Sequence, residues 1–355
     1  MNEARHGAPR GPILFVAMYG LGEARSGPTV RIEHLLAALR ERVAVELISG
    51  TRRSRRGAWL RYLRAGRLAH LFGIYVETSS ALPDIMDLVG LRIAKSRGLP
   101  VLSYIRDAYQ LFRDEYPPPD VLHGIAARAF PMAIAGLRAA STRLAFPTRG
   151  LAEAVLGQSA DGALLLPPGS PAPIRVPRRR DARSLLYVGD LRLASQGGAA
   201  LLLAVDKARE RAPGLELLCV AREGSEPVVE LPAWARLVRA DSRQIADLLP
   251  SVLACIIPRA PGRYNDLALP IKLMEYLAYG RPIVTTDRRE TAAVVRAAGA
   301  GVVVDDGPVA MAEGILAVWN ASEAQRGAWS VAAHRAAEAN AWSARAETIL
   351  GALAR

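Results

Sequence analysis

Leu267–Glu290, LALPIKLMEYLAYGRPIVTTDRRE, is the stretch whose reading decides the fold. Pro270 carries the fixed φ that suits a first helical turn. Ile271, Met274 and Ala278 repeat at spacings of three and four, which predicts a helix from Ile271 to Ala278 with an apolar stripe. Gly280 is the expected stop, and Pro282 follows it. Pro282–Thr286 is a β-branched apolar run of the kind found in a buried parallel strand. The order is therefore loop, helix, tight turn, strand. The helix opening at Pro270 and Ile271 offers free amides beside the Lys272 ammonium, a natural phosphate seat. One turn further on, Glu275 can accept two hydroxyl hydrogen bonds, as from a ribose. That pairing points to a sugar nucleotide. A solvated Lys–Glu pair on a helix surface is the plainer alternative for the same spacing.

The rest of the chain repeats this alternation. A length of 355 residues predicts two domains. Ile13–Met18 reads as a first strand, running into Tyr19-Gly20-Leu21-Gly22, then Ser26-Gly27-Pro28, then a helix from Thr29 to Arg40. Strand, Gly-rich loop and helix open a nucleotide-binding type of α/β unit; tight-turn glycines without a ligand role are the alternative. Further strands are predicted at 43–48, 73–79, 100–105, 143–147 and 163–166. Arg106 and Asp107 follow one of them, where open α/β sheets place their ligands; a helix N-cap is the other reading of Asp107. The run PPGSPAP at 167–173, leading into three arginines, marks a linker over 169–183. A second series starts with the strand ending at Gly189 and continues through strands near 215–221, 235–238, 254–257 and 301–304, with a mobile loop expected over 258–268. Residues 332–353 read as helical. The fold class is α/β: two doubly wound Rossmann-like domains, 1–168 and 184–335, with 336–355 returning to the first.

The formal net charge is +12, almost all from arginine. It suggests a polyanionic partner: nucleic acid, an anionic membrane surface or a phosphate-bearing substrate. Arg52–His70 is the most polarised segment, its arginines interleaved with Trp59, Leu60, Tyr62 and Leu63. A basic amphipathic helix bordered by aromatics is a membrane-surface pattern; a helix packed on the sheet with a solvated arginine face is the alternative. No groove-reading motif accompanies it, so no nucleic-acid partner is expected. Cys219 and Cys255 lie in apolar runs and read as buried free thiols. No apolar run approaches a membrane span, and the start is not a secretion signal, so a cytoplasmic chain is expected, with the 52–70 segment its candidate contact with the inner face of the membrane.

PIKLMEYLAYGRPIVTT resembles the C-terminal signature of the retaining glycosyltransferases of family 4 (group 1), which have the two-domain GT-B fold. The resemblance covers most of the chain and is specific over Pro270–Pro282. It implies that the two domains face one another across a cleft, and that a nucleoside diphosphate sugar binds the second through Pro270, Ile271, Lys272 and Glu275. The first would bring a glycan, lipid-linked or small-molecule acceptor, with no metal or other cofactor. Transfer with retention, and domain closure about the linker, follow from the resemblance alone. Gly189 opens the donor loop, Gly20, Gly22 and Gly27 line the acceptor-side loop, and Asp107 sits at the reacting centre. The chain departs from the pattern in four places. Leu267 stands where the family has a second glutamate, with Asp266 as the candidate substitute. Asp190 and Gln196 replace two phosphate-binding cations, with Arg192 as the nearest replacement, and Arg106 stands in place of a histidine. Those departures favour a non-catalytic binding or scaffold protein as the alternative.

Overall fold

The computed structural model describes residues 11–21, 27–221, 231–240 and 242–354. The described residues form two parallel sheets of six strands each, and the chain divides into two compact units, Met1–Gly169 with Trp342–Arg355, and Ser170–Ala341.

In the first unit the strands are β1 (Ile13–Ala17), β2 (Val45–Ser49), β3 (Gly73–Glu77), β4 (Val101–Tyr104), β5 (Arg143–Phe146) and β6 (Leu164–Leu165), in the order β2-β1-β3-β4-β5-β6. The helices are α1 (Gly27–Arg40), α2 (Arg52–Arg64), α3 (Ile85–Ser96), α4 (Val121–Ala140) and α5 (Arg149–Leu156). β1, β3 and β4 are wholly buried, as expected of strands covered by helices on both faces. The sheet reverses direction of travel between β1 and β3, so the loops after those strands flank a topological switch point.

The second unit holds β7 (Ser184–Val188), β8 (Glu216–Val220), β9 (Ala235–Val238), β10 (Val252–Ile257), β11 (Ile283–Thr286) and β12 (Gly301–Val304), in the order β12-β11-β10-β7-β8-β9. Its helices are α6 (Gly198–Arg209), α7 (Ser242–Leu248), α8 (Arg263–Leu267), α9 (Ile271–Tyr279), α10 (Arg289–Ala298), α11 (Pro308–Asn320) and α12 (Glu323–Ala339). The reversal here lies between β7 and β10, whose following loops begin at Gly189 and Pro258. The expected helix and strand of the opening stretch are α9 and β11, and Gly280 closes α9 in the left-handed conformation at φ 60°. Met274 and Ala278 are buried as expected, but Ile271 is not: α9 packs on nearly every side, leaving Ile271, Lys272 and Glu275 along its one half-exposed edge.

Four expectations change. The stretch 258–268 contains α8, fixed by Asn265 Nδ2 donating to the carbonyls of Ser195 (3.0 Å) and Ala260 (2.9 Å). From Ser170 onward the proline-rich segment belongs to the second unit, because its backbone finds partners there: Ile174 N donates to Ala278 O at 2.7 Å and Arg179 N to Pro250 O at 2.8 Å. The helical run 332–353 breaks at Asn340 and Ala341, and its final part, α13 (Trp342–Leu353), joins the core of the first unit through Trp342, Ala346 and Ile349.

The fourth concerns the basic segment. Trp59 is fully buried and donates to Asp87 Oδ1 at 3.0 Å, and Tyr62 is buried with its hydroxyl on Glu46. Arg55 is buried against Asp87 (2.7 Å) and Arg56 pairs with Asp84 (2.7 Å). The aromatics thus face the core, and α2 presents mainly arginines outward, with Leu60 exposed among them. Asp87 serves α3 as well, closing a capping box with Asp84. Replacing Asp87 with alanine would strand a buried guanidinium and an indole N–H, so a loss of about 3–5 kcal/mol is expected. Arg53→Ala, on the exposed face, should change stability by less than about 0.5 kcal/mol. Urea denaturation of the two variants checks this, and equal effects would contradict the packing.

Candidate functional site

In the second unit the site is built where β7 ends. Gly189 has φ 153°, and a Cβ there would lie 2.9 Å from Lys272 Nζ and 2.9 Å from the Tyr187 hydroxyl. Only glycine combines that backbone with so close an approach. Lys272 reaches in from α9, donating to Gln196 Oε1 at 2.8 Å and standing 4.7 Å over the Tyr187 ring. Tyr276, one turn along α9, accepts from Val188 N at 2.8 Å and locks helix to strand. The loop 189–197 is pressed on its neighbours: a Cβ at Gly197 would lie 1.6 Å from Pro258 O and one at Gly198 2.4 Å from Leu191 O.

The electrostatics of this pocket are cationic. Lys272 is half-buried as a residue, but its ammonium is crowded by Tyr187 and Gly189. Burial, reinforced by the Arg259 charge and opposed by Glu275, pushes it down to about 7. Arg259, directly after β10, is 9% exposed, and its Nε and one terminal nitrogen lack partners among the described residues. Two cations share the switch point, and α9 opens at Pro270 with no side-chain cap. The first-turn amides of Ile271 and Lys272 therefore add to the positive potential. Glu275 lies one turn on along the same half-exposed edge.

Arg259 is the group that sequence reading missed, its signal being a cation one residue past the strand bordering the switch point. Arg192 is not the replacement cation: it is turned back onto Asp190, which grips it at 3.0 and 2.7 Å. Asp266 lies in α8 with Arg288 at 3.2 Å, and Arg288 also holds Asp306. Among the described residues no cluster of three or more His, Cys, Asp or Glu is suited to a metal ion.

In the first unit Arg106 and Asp107 follow β4. Arg106 donates to Asp107 Oδ2 at 2.5 and 2.8 Å and to Ser80 Oγ at 2.6 Å, and Ser80 itself donates to Asp107 Oδ2 at 2.9 Å. Asp107 is buried and its Oδ1 has no partner among the described residues. It caps no helix, since the short turn that follows has Ala108 at its N-cap. The Tyr19 ring lies 5.0 Å from the Arg106 guanidinium. Burial pushes its phenol up to about 12, with Arg106 opposing, so it stays a donor. Gly20 continues that loop and Gly27 opens α1, while Gly22 lies outside the described residues.

Residues 182–321 match the family model described as glycosyl transferases group 1. No curated protein sequence matches the chain. Among solved structures, Anabaena HepE in complex with UDP and glucose aligns with TM-score 0.68 at 13% identity, over 96% of this chain and 98% of its own. Sucrose-phosphate synthase from Thermosynechococcus elongatus aligns with TM-score 0.67 at 12% identity, over 96% and 97%. WaaG, a glycosyltransferase involved in lipopolysaccharide biosynthesis, aligns with TM-score 0.63 at 14% identity, over 95% and 98%. Residues 182–321 thus resemble the group 1 glycosyl transferases, and the chain as a whole has the two-domain GT-B fold of these solved structures.

Proposed function

We propose that the protein transfers a sugar from a nucleoside diphosphate sugar to a glycan, lipid-linked or small-molecule acceptor, with retention of anomeric configuration and without a metal or other cofactor. A fold alone does not assign an activity. The observation that carries the reading is the pairing of Lys272 and Arg259 beside the uncapped start of α9, with Glu275 on the same edge. The cations and first-turn amides seat the diphosphate, and the Glu275 carboxylate receives the ribose hydroxyls. As the glycosidic bond loosens, negative charge grows on the leaving diphosphate, and these preoriented donors stabilise it. Gly189 lets the phosphates approach the backbone. In the first unit the partnerless Oδ1 of Asp107 is the acceptor-side base, oriented by Arg106 and Ser80. Asp266 is left out of this assignment because Arg288 engages it. The second reading, a binding protein without catalysis, draws on Asp190 and Gln196; it predicts nucleotide binding with no turnover of any sugar donor.

Thermal denaturation with UDP, GDP, ADP and TDP tests the donor seat. One of them should raise the transition by an amount corresponding to about 2.7 kcal/mol at a hundredfold excess over its dissociation constant. Glu275→Ala should weaken that nucleotide about 10–100-fold, the range for hydrogen bonds to a charged group. No stabilisation by any of the four would overturn the proposal.

The protonation of Lys272 gives a second test. Its ammonium loses its proton near pH 7 in the free protein, and a bound diphosphate favours the charged form and raises its affinity for the proton. Affinity for UDP should therefore fall between pH 7.5 and 9, by up to about tenfold per pH unit. Calorimetry in buffers of differing ionisation enthalpy should register proton uptake at pH 8, and Lys272→Arg should abolish it. A flat pH profile contradicts the placement of the ammonium against phosphate.

A further inference from the structure

A cavity of about 390 Å3 opens in the first unit beside Ser80 and Gln110, within the size range of small-molecule sites. Its walls are strongly apolar. Pro117, Pro118 and Pro119 have no N–H to offer, Tyr109, Tyr116 and Leu122 add ring and aliphatic surface, and Ser80, Gln110 and His123 supply polar groups. Asp120 caps α4 by accepting from His123 N at 2.9 Å, so the helix begins immediately beyond the prolines. Its first turns leave Val121 78%, Leu122 77% and Ile125 55% exposed, an apolar rim continuous with the cavity wall. Exposed large aliphatics in a row at a cavity mouth mark a ligand surface rather than ordinary scatter.

The charge at this cavity has one sign in its long side chains. Arg52 and Arg113 line it, bonded to the backbone carbonyls of Leu82 (2.9 Å) and Gln110 (3.3 Å). A carbonyl leaves the guanidinium charge in place for an anion to meet. Ser80 belongs at once to the cavity and to the Arg106–Asp107 cluster, as it bonds both residues of that pair. An apolar body, an anionic head and contact with the acceptor-side cluster together describe an amphiphile.

We propose that this cavity holds the hydrocarbon body of an amphiphilic acceptor whose anionic head is gripped by Arg52 and Arg113. The assignment rests on reading the first unit as the acceptor side of a glycosyltransferase and narrows the acceptor class. Calorimetric titration of the full chain with farnesyl phosphate, below its aggregation threshold, tests it. Farnesol and inorganic phosphate separate tail from head, and UDP is titrated in parallel. Farnesyl phosphate should bind saturably, at least tenfold tighter than farnesol, and phosphate alone should give no signal at the same concentration. Leu122→Asp, at an exposed position, and Ala126→Phe, which fills the cavity without adding charge, should each weaken binding at least tenfold. Arg113→Ala should erase the advantage over farnesol. Absence of saturable binding, or unchanged binding in both cavity variants, with UDP still bound, overturns the amphiphile assignment alone. Failure of UDP to bind overturns the donor seat instead.

Discussion

The close approach of the Lys272 ammonium to the backbone at Gly189 is the constraint on which the second unit's site depends. A methyl group at 189 would contact both Lys272 Nζ and the Tyr187 hydroxyl at 2.9 Å, and the backbone there has a φ that side chains rarely adopt. The strand order of the sheet creates the gap, because β7 and β10 send their helices to opposite faces. Into that gap the chain places two cations, and burying the Lys272 ammonium beside Arg259 costs free energy, as its lowered proton affinity registers. Partly buried like charges are disfavoured unless an anion arrives to neutralise them. The same arrangement that weakens the resting protein therefore favours a diphosphate.

The first unit uses buried charge in the opposite way, in cation–carboxylate pairs. Arg31 and Glu77, each 1% exposed, meet at 2.8 Å, with the Tyr75 hydroxyl on the second carboxylate oxygen at 2.6 Å. Arg55, Trp59 and Asp87 form a comparable network between α2 and α3. These pairs tie helices to the sheet, and beyond the ends of β3 and β4 the loops bring Ser80, Arg106 and Asp107 together. One carboxylate oxygen of Asp107 is spent on orientation and the other remains open.

Much of this was legible in the sequence, and the failures have physical causes. The opening stretch was readable because proline, glycine and a β-branched run act locally: α9, its left-handed stop at Gly280 and β11 all follow from short-range chemistry. The cation partner of Lys272 was not, since Arg259 and Lys272 are brought together only by the strand order. Arg192 drew attention as the arginine nearest the missing cations, yet an aspartate two residues away captures it. Trp59 and Tyr62 at the edge of an arginine-rich helix read alike whether they face lipid or core; Asp87 and Glu46, distant in sequence, decide for the core. The loop reading of 258–268 failed because Asn265 satisfies carbonyls that a free loop would give to water.

The central claim is that a nucleoside diphosphate sits where the β7 loop, Arg259 and the start of α9 converge. Amide hydrogen exchange of the full chain with and without saturating UDP measures this directly. The account predicts slowed exchange concentrated in residues 189–198, 259–262 and 271–276. Unchanged exchange in those segments while UDP is bound, or protection confined to the first unit, would contradict it.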